Sequence, residues 1–439
     1  MTKQSRLGII EDLVAGRWLD PNDGVKKGIE IDVIEIADSL EGREAELVRA
    51  CHGGNKRICV VHDSFTREAL GGRVVDALRR DGMAVSEYLW EKPKVELAAI
   101  RALSEATADA EVLVAIGSGS ISDGCKYATF EDGREYSVFA TSPMNAYTTP
   151  TASVSVDGFK KSITCHFAKG VFFDLGIIAK CPPRLVSAAF ADVVCRTTSQ
   201  VDWLLMHLLF GTPYSETPYT LLAYDEDDMI ALAPRLLDGD FEALARLVRV
   251  SAIMGSGTSF TGTTHVGSMA EHMISHCIDM FAGAAHPGTS HGEQVGVASL
   301  TMSRLQNEMM ALETAPEIAP TVIPRERLAA RYGTAMAETM ANETAKKAFD
   351  AEGAARMNER LRREWPQIRA RIASVMRPYD ELHAAMAAAG CKLTAADLGL
   401  PADLYRQYVG DARFIRDRFS MLDLADDTGR LEPFLAELN

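Results

Sequence analysis

A chain of 439 residues is long enough for two domains with sizeable cores, and 47% hydrophobic with 24% charged residues is ordinary globular composition. A net charge of −15 argues against a nucleic-acid or anionic-membrane surface, while leaving room for a local basic pocket that meets a phosphate. No apolar run reaches membrane-spanning length and no secretory h-region follows Met1–Arg6. The 8 cysteines are scattered without a Cys-x-x-Cys pair, so they read as reduced thiols of a cytoplasmic protein and not as a zinc site.

The first 55 residues carry no clear pattern. Order sharpens at Arg57–Asp63, a short apolar run that reads as a buried strand. Arg67–Arg80 places Leu70, Val74, Val75 and Leu78 at helical spacing and ends at Asp81-Gly82. Val85–Trp90 suits a strand, Val95–Ala108 a helix, and Glu111–Ile116 a further buried strand that ends in Gly117-Ser118-Gly119-Ser120. Strands alternating with helices predict a parallel sheet with right-handed crossovers. Tyr136–Ala140 leads into a Pro- and Thr-rich loop. Ala152–Val156 and Phe159–Thr164, joined by Asp157-Gly158, predict a hairpin, and Val171–Asp174 is the last short strand. Beyond Pro182-Pro183 the chain turns rich in Ala, Leu, Met and Arg at helical spacing, with a loop at Thr314–Pro324. A domain boundary is expected near residue 180.

Gly117-Ser118-Gly119-Ser120 follows a strand and opens a helix. Glycines let the backbone approach a diphosphate, and a helix N-terminus offers N–H donors; a plain strand-to-helix turn is the competing reading. The longer Gly-x-Gly-x-x-Gly pattern is absent, because Gly124 falls too late. Asp63, at the end of the first clear strand, suits either a ribose diol, favouring NAD over NADP, or a helix N-cap.

A period of four puts His272 and His276 on one helix face, and His291 can return to them from the next segment. A lone histidine pair is weak evidence, since most buried histidines are merely hydrogen-bonded. Asp192 strengthens it: a single carboxylate within the apolar run Ala189–Cys195 needs a cation, either an arginine or a metal. One carboxylate and two imidazoles leave coordination positions open, as a Lewis-acid site requires.

Several ordered signals now stand together between about Arg57 and Leu300. They are Val60–Thr66, Gly117–Asp123 with Lys126-Tyr127, Pro182–Leu185 leading to Asp192, Asp202-Trp203, Ala270-Glu271-His272 with His276, and His291-Gly292-Glu293. In this order they resemble the iron-containing (group III) alcohol dehydrogenase superfamily, in its glycerol-1-phosphate and glycerol dehydrogenase branch. The resemblance implies a dehydroquinate synthase-like architecture. Residues 1–180 would form an α/β dinucleotide-binding domain and 181–439 an all-helical metal-binding and substrate domain, with the active site in the cleft.

It also implies site roles. Asp192, His272 and His291 would hold one divalent metal, zinc, nickel or iron, with His276 beside the substrate or behind the ligands. Gly117, Ser118, Gly119 and Ser120 would cradle the pyrophosphate of NAD(H) or NADP(H), Asp123 would follow in the same cofactor-facing segment, and Thr141 and Ser142 would line the cofactor. Asp63 matches the position linked to NAD preference. Two departures fall near the substrate. The family's Ser-Met-Asp-Gly segment reads Pro143-Met144-Asn145-Ala146, and its Ser-Arg-Pro stretch reads Thr264-His265-Val266. Asn145 can hydrogen-bond a hydroxyl but cannot take its proton.

The expected activity is a metal- and NAD(P)-dependent oxidoreductase interconverting dihydroxyacetone phosphate and sn-glycerol 1-phosphate, with His276 or a bound water relaying a proton. The alternatives are a glycerol or other short polyol dehydrogenase, a 3-dehydroquinate synthase-like cyclase, and a non-catalytic relative. Asp192 and the lack of a basic cluster argue against the cyclase, and only Asn145 favours the non-catalytic relative. The expected partners are a small-molecule substrate and further copies of the chain in a homo-oligomer, with neither nucleic acid nor membrane insertion.

Overall fold

The computed structural model describes residues 8–156 and 159–438. Its strands are β1 (Trp18–Leu19), β2 (Lys26–Lys27), β3 (Val33–Ala37), β4 (Arg57–His62), β5 (Ala84–Leu89), β6 (Val112–Gly117), β7 (Glu135–Ala140), β8 (Thr151–Val156), β9 (Phe159–Thr164) and β10 (Gly170–Asp174). Six of them form one sheet in the order β3-β10-β7-β6-β4-β5. Every pairing in it is parallel. β6 and β10 are buried at every position, and β4 and β7 at all but the first, as a sheet covered on both faces requires. That is why they read as continuous apolar runs. β5 and β3 are the two edges and stay partly exposed.

The expected strands are present to within a residue or two at each end. β8 and β9 pair antiparallel as the hairpin predicts, and the Asp157-Gly158 turn itself lies outside the described residues. The first 55 residues conceal a sheet strand. β3 pairs with β10, and all five of its residues are half-buried. The helix expected at Arg67–Arg80 starts earlier, at Ser64, and passes through a π-helical turn at Arg67–Gly71 before Gly72–Arg80. A β-carbon on Gly71 would stand 2.4 Å from His62 Nδ1, so glycine lets this turn lie against the end of β4. The Val95–Ala108 helix shortens to Leu97–Ala106, because Val95 O instead accepts Ser155 N of the hairpin at 2.8 Å.

The chain forms two compact units, Met1–Ala189 with Ser215–Thr263, and Phe190–Tyr214 with Thr264–Asn439. A single cut near residue 180 does not describe them: the helical stretch 215–263 clusters with the sheet-bearing unit. Its helix Phe241–Ser256 packs on the turn Asn145–Tyr147, with Ser251 Oγ donating to Pro143 O and Thr148 Oγ1 to Ala252 O, both at 2.8 Å. Helical periodicity sees none of this. The second unit is helical among its described residues, and 314–324 is a loop held by Asn358, whose side chain bonds both Ile318 N and Ile318 O at 2.8 Å. No described helix is long and apolar enough to cross a membrane.

Candidate active site

In the sheet-bearing unit the strand order reverses at β4. β5 lies on one side of it and β6 on the other, which opens a crevice at their carboxyl ends. The loops after β4, β6 and β7 present Asp63, Gly117–Ser120 and Thr141-Ser142 at neighbouring strand ends. Gly117 has φ +150, and a β-carbon there would stand 2.6 Å from Ile121 Cδ1 and 3.3 Å from Thr66 Cγ2. Ser118 is the extended N-cap of helix Gly119–Asp132 and spends no side-chain hydrogen bond on capping. The first-turn N–H groups of this helix thus receive no side-chain cap from Ser118.

Other residues stiffen this edge. Tyr147 donates to Gly117 O at 2.8 Å, and Ser142 Oγ lies 2.9 Å from the Tyr147 hydroxyl, so Ser142 is buried behind the glycine turn. Thr141 is half-buried beside it. Asp63 completes a capping box: its Oδ1 accepts Thr66 N at 2.8 Å, while Asp63 N donates to Thr66 Oγ1 at 3.1 Å. The cap occupies one carboxylate oxygen, Oδ1. Asp123 is committed to an ion pair with the fully buried Lys126 at 2.9 Å and accepts Ser153 N at 3.1 Å. Lys126 also donates to Ala146 O and Thr151 O at 3.0 Å, fastening the loop that carries Asn145. That loop is also held close by Gly255, where a β-carbon would stand 2.3 Å from Asn145 O.

In the helical unit, Asp192, His272 and His291 bring one ligand atom each to within 4.8 Å of one another. His272 and His276 are one turn apart on helix Ala270–Phe281, and His291 opens helix His291–Met310. The three rings gather: His272 lies 5.0 Å from His291, and His276 stacks on His291 at 5.8 Å. Glu293 caps the N-terminus of the second helix by accepting Ser290 N at 2.7 Å.

Hydrogen-bond partners assign the tautomers. Ser275 Oγ donates to Gln294 Oε1 at 2.8 Å, so His291 Nδ1, 3.0 Å from the same oxygen, must carry the proton. His272 Nδ1 faces Glu271 Oε1 at 3.0 Å and donates to it. Both imidazoles are thus held through Nδ1. His272 Nε2 faces Asp192 Oδ1 at 3.7 Å, so one acceptor is turned on another, an arrangement that suits an intervening cation. The donor set fits a divalent metal with positions left open.

A second group, Cys195, Glu271 and His272, also gathers. Its geometry is that of support. Glu271 Oε1 is already shared by His272 Nδ1 and Met269 N, the latter at 2.7 Å. Burial and the nearby Glu271 and Asp192 carboxylates push the Cys195 thiol well above its usual range, so it stays protonated and donates to Gly267 O at 3.3 Å. His265 stacks obliquely near Trp203, and burial beside Arg418 pushes it down to about 3, so it is neutral.

Sequence reasoning named the ligand-type residues and missed Ser275, Gln294 and Tyr147, together with the parts played by Lys126 and Glu271. Lys126 and Glu271 left a visible trace, one beside the glycine-turn segment and the other as the neighbour of His272. The others are ordinary residues whose work is defined by a partner far along the chain.

Residues 35–182 match the family model described as iron-containing alcohol dehydrogenase. The glycerol-1-phosphate dehydrogenase [NAD(P)+] of Bacillus velezensis is 26% identical over 309 residues, spanning 67% of this chain and 78% of the relative. That of Methanothermobacter thermautotrophicus is 28% identical over 252 residues, spanning 57% and 71%. Among solved structures, glycerol dehydrogenase from Schizosaccharomyces pombe aligns with a TM-score of 0.63 at 16% identity, covering 93% of this chain and 90% of its own. NADH-dependent butanol dehydrogenase A from Thermotoga maritima aligns at 0.60 and 13% identity, covering 93% and 96%. At these identities the structural likenesses carry the fold.

Proposed function

We propose that this chain, whose residues 35–182 match the iron-containing alcohol dehydrogenase family model, is a metal- and NAD(P)-dependent oxidoreductase interconverting dihydroxyacetone phosphate and sn-glycerol 1-phosphate. The observation that carries the proposal is the donor set Asp192, His272 and His291, one ligand atom of each lying within 4.8 Å of the others, with both imidazoles held through Nδ1.

When bound, a divalent metal would supply Lewis-acid polarisation of the ketone oxygen, and a nicotinamide would supply the hydride. The chain's own residues do the rest. Asp192 provides the single negative charge of the ligand set. Glu271 and Ser275 hold the two ligand rings so that no reorientation accompanies the reaction. Gly117 admits a diphosphate to the backbone, and the N–H groups of the Ser118–Ser120 turn donate to it. Asp63 Oδ2 accepts from a ribose hydroxyl, which favours NAD. Asn145 orients a substrate hydroxyl without taking its proton, so the proton is handled by His276 or a bound water. The same reading places the enzyme in the cytoplasm as a homo-oligomer, which fractionation and light scattering can check.

The test is NADH and NADPH oxidation with dihydroxyacetone phosphate and with dihydroxyacetone, on protein whose metal content is measured. Turnover of the phosphate, lost with a chelator and restored by a divalent metal, is the expected result. Turnover of dihydroxyacetone alone would move the substrate to an unphosphorylated polyol. Asp192→Ala and His272→Ala variants that kept both activity and stoichiometric metal would end the proposal.

A further inference from the structure

The region after Leu300 carries no recognisable motif, yet it reaches the metal ligands through the segment that precedes the histidine helix. That segment presents three successive carbonyls, and a side chain meets each one. Ser199 Oγ donates to Val266 O at 3.2 Å, Cys195 Sγ to Gly267 O at 3.3 Å, and the Arg418 guanidinium to Ser268 O. Arg418 also donates to Thr264 Oγ1 at 2.8 Å. Immediately afterwards, Met269 N and His272 Nδ1 share Glu271 Oε1, at 2.7 and 3.0 Å.

The same stretch of chain makes a second attachment. Met421 N donates to Asp202 Oδ1 at 3.1 Å, and Asp202 Oδ2 accepts Ala270 N, the first residue of the histidine helix, at 3.4 Å. Residues 418–421 therefore grip both the approach to that helix and its first turn. A guanidinium suits the task, because its rigid planar fork binds two acceptors at fixed separation, whereas an ammonium is a point donor on a flexible stem.

We propose that Arg418 is a positioning residue of the metal site: by pinning Thr264 and Ser268 it fixes the Glu271 carboxylate, which in turn sets the ring of His272. The proposal rests on the assignment of Asp192, His272 and His291 as metal ligands. It gives the long C-terminal region a part in the metal centre, although none of its residues is a ligand.

The test is titration of metal-free protein with Co²⁺ alone, reading the visible absorption spectrum and the dissociation constant by chelator competition. Arg418→Met should weaken Co²⁺ binding by about tenfold or more and alter the spectrum, as removal of groups behind metal ligands does. Arg418→Lys should recover part of the affinity. A purely structural role would lower the melting temperature of Arg418→Met while leaving affinity and spectrum unchanged, and that result overturns the proposal. If Arg418→Met does not fold, Thr264→Val, which removes one acceptor of the fork, decides: a weaker site supports the proposal and an unchanged one overturns it. The underlying ligand assignment fails separately, if the unmodified protein takes up no Co²⁺ or if Asp192→Ala binds it equally well.

Discussion

Gly296 lies so close to Ala191 that a β-carbon on the glycine would stand 2.6 Å from the Ala191 Cβ and 2.9 Å from Met386 Cε. Gly296 is five residues into the helix that His291 opens, and Ala191 directly precedes Asp192. The backbone contact that only glycine permits therefore sets how near His291 and Asp192 can come. Gly296→Ala gains helix propensity of about 1 kcal/mol but overpacks a contact costing about 1–3 kcal/mol, so the cost prevails. Urea unfolding should show net destabilisation, accompanied by weaker metal binding; a stabilised variant with an unchanged site would contradict this.

Ser275 should matter to the metal without touching it. It is fully buried, and its bond to Gln294 forces His291 Nδ1 to be the donor. Ser275→Ala removes that constraint, and affinity should fall by about 10–100-fold. Equilibrium dialysis against a chelator measures the change. Equal affinities would mean that His291 is oriented by something other than Ser275.

The cofactor crevice has a similar pinch point. Gly117→Ala places an alanine at φ +150 with its β-carbon against Ile121 Cδ1, which costs about 1–3 kcal/mol of backbone strain and displaces the turn. NADH binding, followed by fluorescence, should be lost while the metal is retained, because the two sites are built from different residues. Tyr147→Phe, which deletes the donor to Gly117 O, should weaken NADH in the same direction but less.

Asp202 makes stability depend on pH. Burial, together with the Glu271 carboxylate, pushes it up to about 8 from 3.8, against the pull of its N–H donors. The folded chain then keeps this proton up to about pH 8, whereas the unfolded chain releases it near 3.8, so the folded state binds more protons across that window. Stability from this group is present below the lower value and declines as pH rises towards the higher one. Asp202→Asn should flatten that decline in urea unfolding of the metal-free protein measured from pH 5 to about 8.5. An unchanged slope would remove Asp202 from the explanation.

Local pattern made some of this protein plain. β4 and β6 are legible because a buried parallel strand must be apolar throughout, and the hairpin because it alternates around a turn dipeptide. β3 went unread among the first 55 residues, although its segment Val33–Ala37 is mostly apolar. Helical spacing likewise finds Phe241–Ser256 but cannot say that it packs beside Asn145 in the sheet-bearing unit.

The sequence by itself determined the kinds of chemistry available: a glycine turn after a buried strand, two histidines at a four-residue interval, a third histidine, and one carboxylate in an apolar helix. Residue type and spacing along one helix or strand are local properties, so they can be read locally. Only the tertiary structure decided how those groups point. Glu271 turns His272, Ser275 turns His291, Arg418 holds the segment before them, and Gly296 sets the approach to Asp192. Hydrogen bonds and close packing between segments as far as 219 residues apart leave no periodic trace in the chain, because each depends on where its partner ends up after folding.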